Sequence, residues 1–213
     1  MRAMKSDDLP LPRRNALPLG LAVRPDVLVT LFAARVSEVD PDRAVLVLRA
    51  ASEVLTRRMR DVHAAASLRM TGLDFGRDAS KSRDDLQTRV EGALELPLAP
   101  ELDWWARAQL AAQVTVLART LAGEARKQKP VIDISFQQPA ALVREPERHR
   151  AEVLRRWVAR CNELAAAAQG ERFPLQVTAC EPPGEVVQTA VSVEEVRLSM
   201  ALDGRIEALP PRP

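Results

Sequence analysis

The chain reads as an α+β protein, with a mixed, largely antiparallel sheet and three long helices packed on it. Segments with apolar residues at every second position alternate with segments of 3.6-residue period, in the order β-α-β-β-α-β-α-β-β. The strand-like runs come in pairs between helices, which favours antiparallel neighbours over the strict alternation of a parallel sheet. The first six elements spell βαββαβ, the ferredoxin-like order. A chain of 213 residues is long enough to bury a core. We expect an N-terminal arm over residues 1–21, one α+β domain over 22–209 or two subdomains near 22–130 and 131–209, and a tail over 210–213.

The arm is proline-bearing (Pro10, Pro12, Pro18) and has no period. Residues 23–37 carry apolar side chains on both faces (Val27, Val29 and Leu31; Leu28 and Phe32), which predicts a strand covered twice. Asp40–Pro41 supplies an N-cap and a first-turn proline. In the helix that follows, Ala44, Leu48, Ala51, Leu55, Met59 and Val62 form the core stripe. Residues 67–75 make the next strand, and the polar run after it is a loop. Over residues 88–98, Val90, Gly92, Leu94, Leu96 and Leu98 alternate with Arg89, Glu91, Ala93 and Glu95, a strand with one wet face that pairs with its predecessor as a long-looped hairpin. Pro100 opens a second helix to about Lys127, with Leu110, Val114, Leu117 and Leu121 inward. A single strand is expected over 131–143, with Ile132, Ile134 and Phe136 facing the core.

The third helix has the clearest boundaries. Glu145 and Pro146 suit the N-cap and first helical position, and Gly170 suits a left-handed stop. Leu154, Trp157, Cys161, Leu164 and Ala168 form its apolar stripe. A strand over 173–181 alternates Leu175, Val177 and Ala179 with Gln176, Thr178 and Cys180. A long extended segment over 186–209 turns tightly at Asp203–Gly204.

Thirty-one basic residues against 29 acidic ones leave a net charge of +2, too little to recruit nucleic acid or an acidic membrane by charge alone. Four Phe, three Trp and no Tyr argue against a platform for stacked bases. No segment approaches the ~18 apolar residues of a membrane helix, and the short apolar run 17–23 does not make a signal sequence, so the expectation is cytoplasmic. Two cysteines in a chain this long do not form a disulfide framework, and both are expected as thiols.

Candidate chemistry is thin. His63 and His149 stand on different helices with no Cys or His at ligand spacing. A nucleophile elbow and a phosphate-binding loop are both missing from the sequence, so no catalytic residue, metal or cofactor is expected. Arg57, Arg58 and Arg60, and Arg155, Arg156 and Arg160, are interleaved with Glu53, Asp61, Glu152 and Glu163, the pattern of solvated helix faces. Trp104 and Trp105 are candidate partner contacts, because adjacent helix positions cannot bury in one groove; the bland alternative puts one in the core and one over a strand edge. Cys180, on the polar side of its strand, is the candidate reactive thiol, whereas Cys161 on an apolar stripe is expected to be inert.

This order resembles the SIMPL domain family. The phrase Ala22, Pro25, Asp26 precedes the opening strand, Gly92–Ala93 centres a mid-domain strand, and the run 131–136 leads to the Arg150–Ala151 helix with its Ala-rich end at 164–168. The likeness covers residues 22–208. It departs from the family at Glu91, where a Tyr is common, and in showing no export signal. It implies an α+β fold without enzymatic activity or cofactor, working by self-association or protein-partner binding, with a link to stress tolerance. An apolar cleft between sheet and helices would instead imply a small-molecule or lipid-binding module.

Overall fold

The structure is a computed structural model that describes residues 20–38, 40–77, 86–168, 175–180, 184–200 and 204–208. The chain is α+β, with three α-helices and antiparallel sheets among the described residues. It divides into two compact units. The first comprises residues 22–145 and 188–197; the second comprises 1–21, 146–187 and 198–213.

The first unit is built on β2 (Val27–Glu38), α1 (Pro41–Val62), β3 (Ser67–Arg77), β4 (Leu86–Pro97), α2 (Trp104–Ala125), β5 (Ile132–Phe136) and β6 (Ala140–Leu142). Its strand order is β3-β4-β2-β5, with β6 also on β2 and every pairing antiparallel. This is the sheet order of a βαββαβ fold, with the two helices on one face. The expected hairpin of β3 and β4 is present, Ser67 opposite Glu95 and Arg77 opposite Leu86.

α1 begins as the sequence requires. The Asp40 carboxylate accepts from the Asp42 N–H at 3.0 Å, Pro41 occupies the first position, and Ala44, Leu48, Leu55 and Met59 are buried. They pack with Leu28, Phe32, Val36, Leu94 and Leu96 of the sheet and Val114 and Leu121 of α2. α2 starts later than Pro100 suggests, at Trp104, because Asp103 is the better cap and accepts from the Ala106 N–H at 2.8 Å.

Four other expectations change. β2 is covered along its length on one face only: Leu28, Thr30, Phe32, Ala34 and Val36 are buried, while the opposite face is buried at its start, at Val27, and opens at Leu31, 44% exposed, since both helices lie on the same side. The expected strand 131–143 breaks into β5 and β6 around Gln137–Pro139, proline having no N–H to donate to a ladder. The third helix opens as a 3-10 turn, Pro146–His149, before α3 (Arg150–Ala168), and its deepest described residue is Val153 rather than Leu154, Trp157 or Cys161, all half-buried. The long segment after residue 186 is three strands, β8 (Val186–Ala190), β9 (Val196–Met200) and β10 (Gly204–Ala208). A turn at Ser192 separates the first two, its hydroxyl accepting from the N–H groups of Glu194 and Glu195. β10 pairs with β7 (Leu175–Cys180), not with the strand before it. β8 and β9 join β1 (Leu21–Val23) in a three-stranded sheet of order β1-β9-β8, and the unit boundaries fall within these three strands.

Candidate functional site

A groove of about 900 Å³ lies between α1 and the edge strand β3 in the first unit. α1 contributes Val45, Leu48, Ser52, Thr56 and Arg60, which recur at three- and four-residue spacing and so share one helix face. β3 contributes Leu68, Met70 and Leu73, and β4 contributes Val90.

The edge strand reaches the groove through a bulge. Leu68 stands opposite Leu94 and Met70 opposite Gly92, but after the register shift between Met70 and Gly72, Leu73 stands opposite Val90 and Phe75 opposite Thr88. One extra residue flips the strand's parity. Leu68, Met70, Leu73 and Phe75 therefore all stand on the helix side, although their numbers change from even to odd. The helices do not reach far enough to cover them: Met70 is 47%, Leu73 53% and Phe75 51% exposed.

The wall of the groove is chemically quiet and its rim is charged. The Ser52 hydroxyl donates to the Leu48 carbonyl and the Thr56 hydroxyl to the Ser52 carbonyl, each at 2.8 Å, so both are occupied within the helix. On the rim Arg49 pairs with Glu53 at 3.1 Å, while Arg57 and Asp61 flank the groove with no ion pair among the described residues. The arrangement can hold an apolar surface and orient charged ends. Sequence reasoning missed these β3 residues, although the spacing 68, 70, 73, 75 was the available signal, a period of two that slips once at Thr71.

A second missed residue is Arg107. It is 1% exposed on the core side of α2 and donates only to carbonyls: Pro25 at 2.9 Å, Leu102 at 3.0 Å, Ala99 at 3.2 Å and Val193 at 3.3 Å. Burial lowers its pKa first, the neighbouring Arg24 adds to this, and Glu194 opposes it. Arg24 ties the same loop, donating to Pro100 and Leu102 at 2.7 Å and to Glu194 at 3.3 Å. These two cations fix the loop that delivers α2.

No family model matches this chain, and no curated protein matches it. The site is therefore read from its own geometry.

The residues singled out in the sequence do not converge. Trp104 and Trp105 open α2 at 43% and 75% exposure, ring centroids 4.6 Å apart and nearly perpendicular, so neither indole is in the core. Cys161 is a half-buried thiol on α3. Cys180 ends β7 opposite Gly204, and its side chain lies outside the described residues. His63 caps α1 through its backbone N–H to the Met59 carbonyl, and its buried Nδ1 has no hydrogen bond among the described residues; His149 closes the 3-10 turn. Arg155 and Arg156 pair with Glu152, and Arg160 with Glu163 at 2.8 Å. Among the described residues no helix is long and apolar enough to cross a membrane, and no group of three His, Cys, Asp or Glu side chains could hold a metal ion.

Proposed function

We propose that this chain is a cytoplasmic, non-enzymatic binding protein of SIMPL-like build that takes up an extended segment of a protein partner along β3. The observation that carries this reading is the edge itself. β3 is an 11-residue strand at the end of the sheet, and among the described residues no strand pairs with its outer side. Long edges are aggregation hazards that soluble proteins ordinarily blunt, so one kept long and apolar calls for an occupant. An added strand would satisfy the outer backbone groups of β3 and lay alternate apolar side chains over Met70, Leu73 and Phe75, while Arg57 and Asp61 select the charges at its ends. The SIMPL-like part of the proposal is supported by the βαββαβ sheet and by the resemblance in residues 22–208.

Selection of displayed peptides against the full chain tests it. Enriched sequences should alternate apolar residues and lose binding to Leu73→Lys, a change at an exposed position that leaves the melting temperature within about 2 °C. Peptides that bind Leu73→Lys equally well, or no enrichment, would refute the reading. The alternative is a small apolar ligand or lipid chain, favoured by the groove volume, which lies within the ~300–1,000 Å³ of ligand sites. Titration with a long-chain fatty acid against a bound apolar fluorophore separates the two.

A further inference from the structure

α2 differs from an ordinary surface helix. Arg107, Val114, Ala118, Leu121 and Ala125 are its buried line, packed toward the sheet with β5 at this side. At about 100° per residue, Trp105, Val116 and Gly123 lie within about 15° of the line directly opposite, and Ala112 within about 35°. All four are exposed, Trp105 by 75% and Val116 by 63%. Between Trp104 and Ala118 the only charged residue is Arg107, which is buried. Over these four turns the helix is uncharged on its solvent side as well as apolar on its core side, the composition of one covered on both; the exposed Arg119 and Glu124 follow only in its last two turns.

The exposed line is symmetric. Its spacings are seven, four and seven residues, so a second α2 laid antiparallel, with a two-fold axis at the level of residue 114, sets Trp105 against Gly123 and Ala112 against Val116, twice over. The largest side chain then meets the smallest. Gly123 is otherwise unexplained: a Cβ there would meet no atom within 4 Å, so its own chain does not require glycine, and glycine is disfavoured in a helix interior. The perpendicular stacking of Trp104 on Trp105 holds the indole ready.

Charge favours the same arrangement. The N-terminal end of α2 is acidic, with Glu101 and Asp103, and the chain after its C-terminal end carries Arg126, Lys127 and Lys129. Glu101, Lys127 and Lys129 have no ion pair among the described residues, whereas Arg126 meets Asp133 at 3.2 Å and Glu124 meets Arg58 at 3.5 Å. Antiparallel packing places acid opposite base at both ends, parallel packing like opposite like, and the uncharged middle places no like charges across the axis. A shallow groove from Gln109 to Thr120, bordered by Asp61 and Val62 of α1, includes Ala112 and Val116 of the line and gives a second helix a seat.

We propose that α2 is an isologous interface, and that its occupant is the α2 helix of a second copy of this chain, antiparallel, with each Trp105 filling the notch at Gly123 of the other. The proposal is independent of peptide binding at β3.

Sedimentation equilibrium of the full chain tests it. The expected mass is twice the 23.5 kDa of one chain. Gly123→Leu fills the notch at a position with open space, and should give a monomer with an unchanged helical circular dichroism spectrum. Trp105→Ala should raise the dissociation constant on the order of 30-fold or more, as for a buried interface anchor. Ala112→Glu and Val116→Lys should each be monomeric alone and form a heterodimer when mixed, because only the antiparallel register puts 112 against 116. A monomeric parent chain, a dimer indifferent to Gly123→Leu and Trp105→Ala, or a mixture that stays monomeric would overturn the proposal. A dimer lost in Leu73→Lys but kept in Gly123→Leu would also overturn it, and would place self-association at β3.

Discussion

Replacing Arg107 by methionine removes every donor of a buried guanidinium while keeping much of its stem. Four carbonyls lose a partner, but the Leu102 carbonyl keeps its 2.7 Å bond from Arg24 and the Ala99 carbonyl its 3.2 Å bond from the Leu102 N–H, so two are stripped: Pro25 and Val193. A hydrogen bond involving a charged group is worth about 1.5–3 kcal/mol net, which sets an upper figure for two of them near 6 kcal/mol. Two effects reduce it. The buried charge no longer has to be desolvated, and water can reach these loops, because Arg24 and Glu194 beside them are 48% and 39% exposed. We expect a loss of about 3–5 kcal/mol. Arg107→Lys retains the charge, but one ammonium cannot span four carbonyls on different segments, and the expected loss is about 2–3 kcal/mol. Urea unfolding followed by far-UV circular dichroism gives the magnitude, and hydrogen exchange gives the location, with protection falling first around residues 24–26, 99–103 and 193–195. A methionine variant within 1 kcal/mol of the parent chain, or a lysine variant equal to it, would refute this account of the loop.

Gly92→Ala should cost about 1–3 kcal/mol in the same assay, because the new Cβ would come within 2.6 Å of the Phe32 ring and 2.9 Å of the Arg69 carbonyl oxygen. Adding Phe32→Leu should relieve part of that cost. Glu147 links stability of the second unit to pH. Its carboxylate accepts from Arg150 Nε at 2.6 Å and from the Val186 N–H at 2.9 Å, and these bonds lower its pKa, the arginine contributing most. The stabilisation is complete above the ordinary glutamate pKa near 4.3 and is lost as pH falls below it through the lowered folded value. Acid titration of the parent chain and of Glu147→Gln should therefore diverge above about pH 5 and converge near pH 2. Parallel curves would disprove the linkage.

Patterns were readable where one covered face dictates them. Asp40–Pro41 and the stripe Ala44, Leu48, Leu55 and Met59 located α1, and alternation located the hairpin of β3 and β4. Periodicity cannot count the layers over a strand, so Val27, Val29 and Leu31 suggested a second cover that is present only at Val27. It also reads through a break that costs one or two residues, as at Gln137–Pro139. Arg107 was invisible for a different reason: an arginine in a helix is ordinarily solvated, and only tertiary structure brings four carbonyls to one guanidinium. The groove beside β3 was half legible, since Leu68, Met70, Leu73 and Phe75 are plainly apolar, but their common face depends on a bulge. The strand pairing of residues 175–180 with 204–208 had no local sequence signal, because sequence favours the nearer partner.

The division of the chain has a consequence for its synthesis. By the time residue 145 leaves the ribosome, strands β2 to β6 and both covering helices are present, so most of this half can take shape before its last piece, residues 188–197, is made. The other half cannot. α3 emerges next, but β7 has to wait for residues 204–208 before its ladder can close, and residues 188–197, which belong to the first half, are threaded between them. A ribosome pause before residue 204 would leave a folded N-terminal sheet trailing a helix and an unpaired strand. The codons for residues 204–208 thus decide whether the β7 ladder closes.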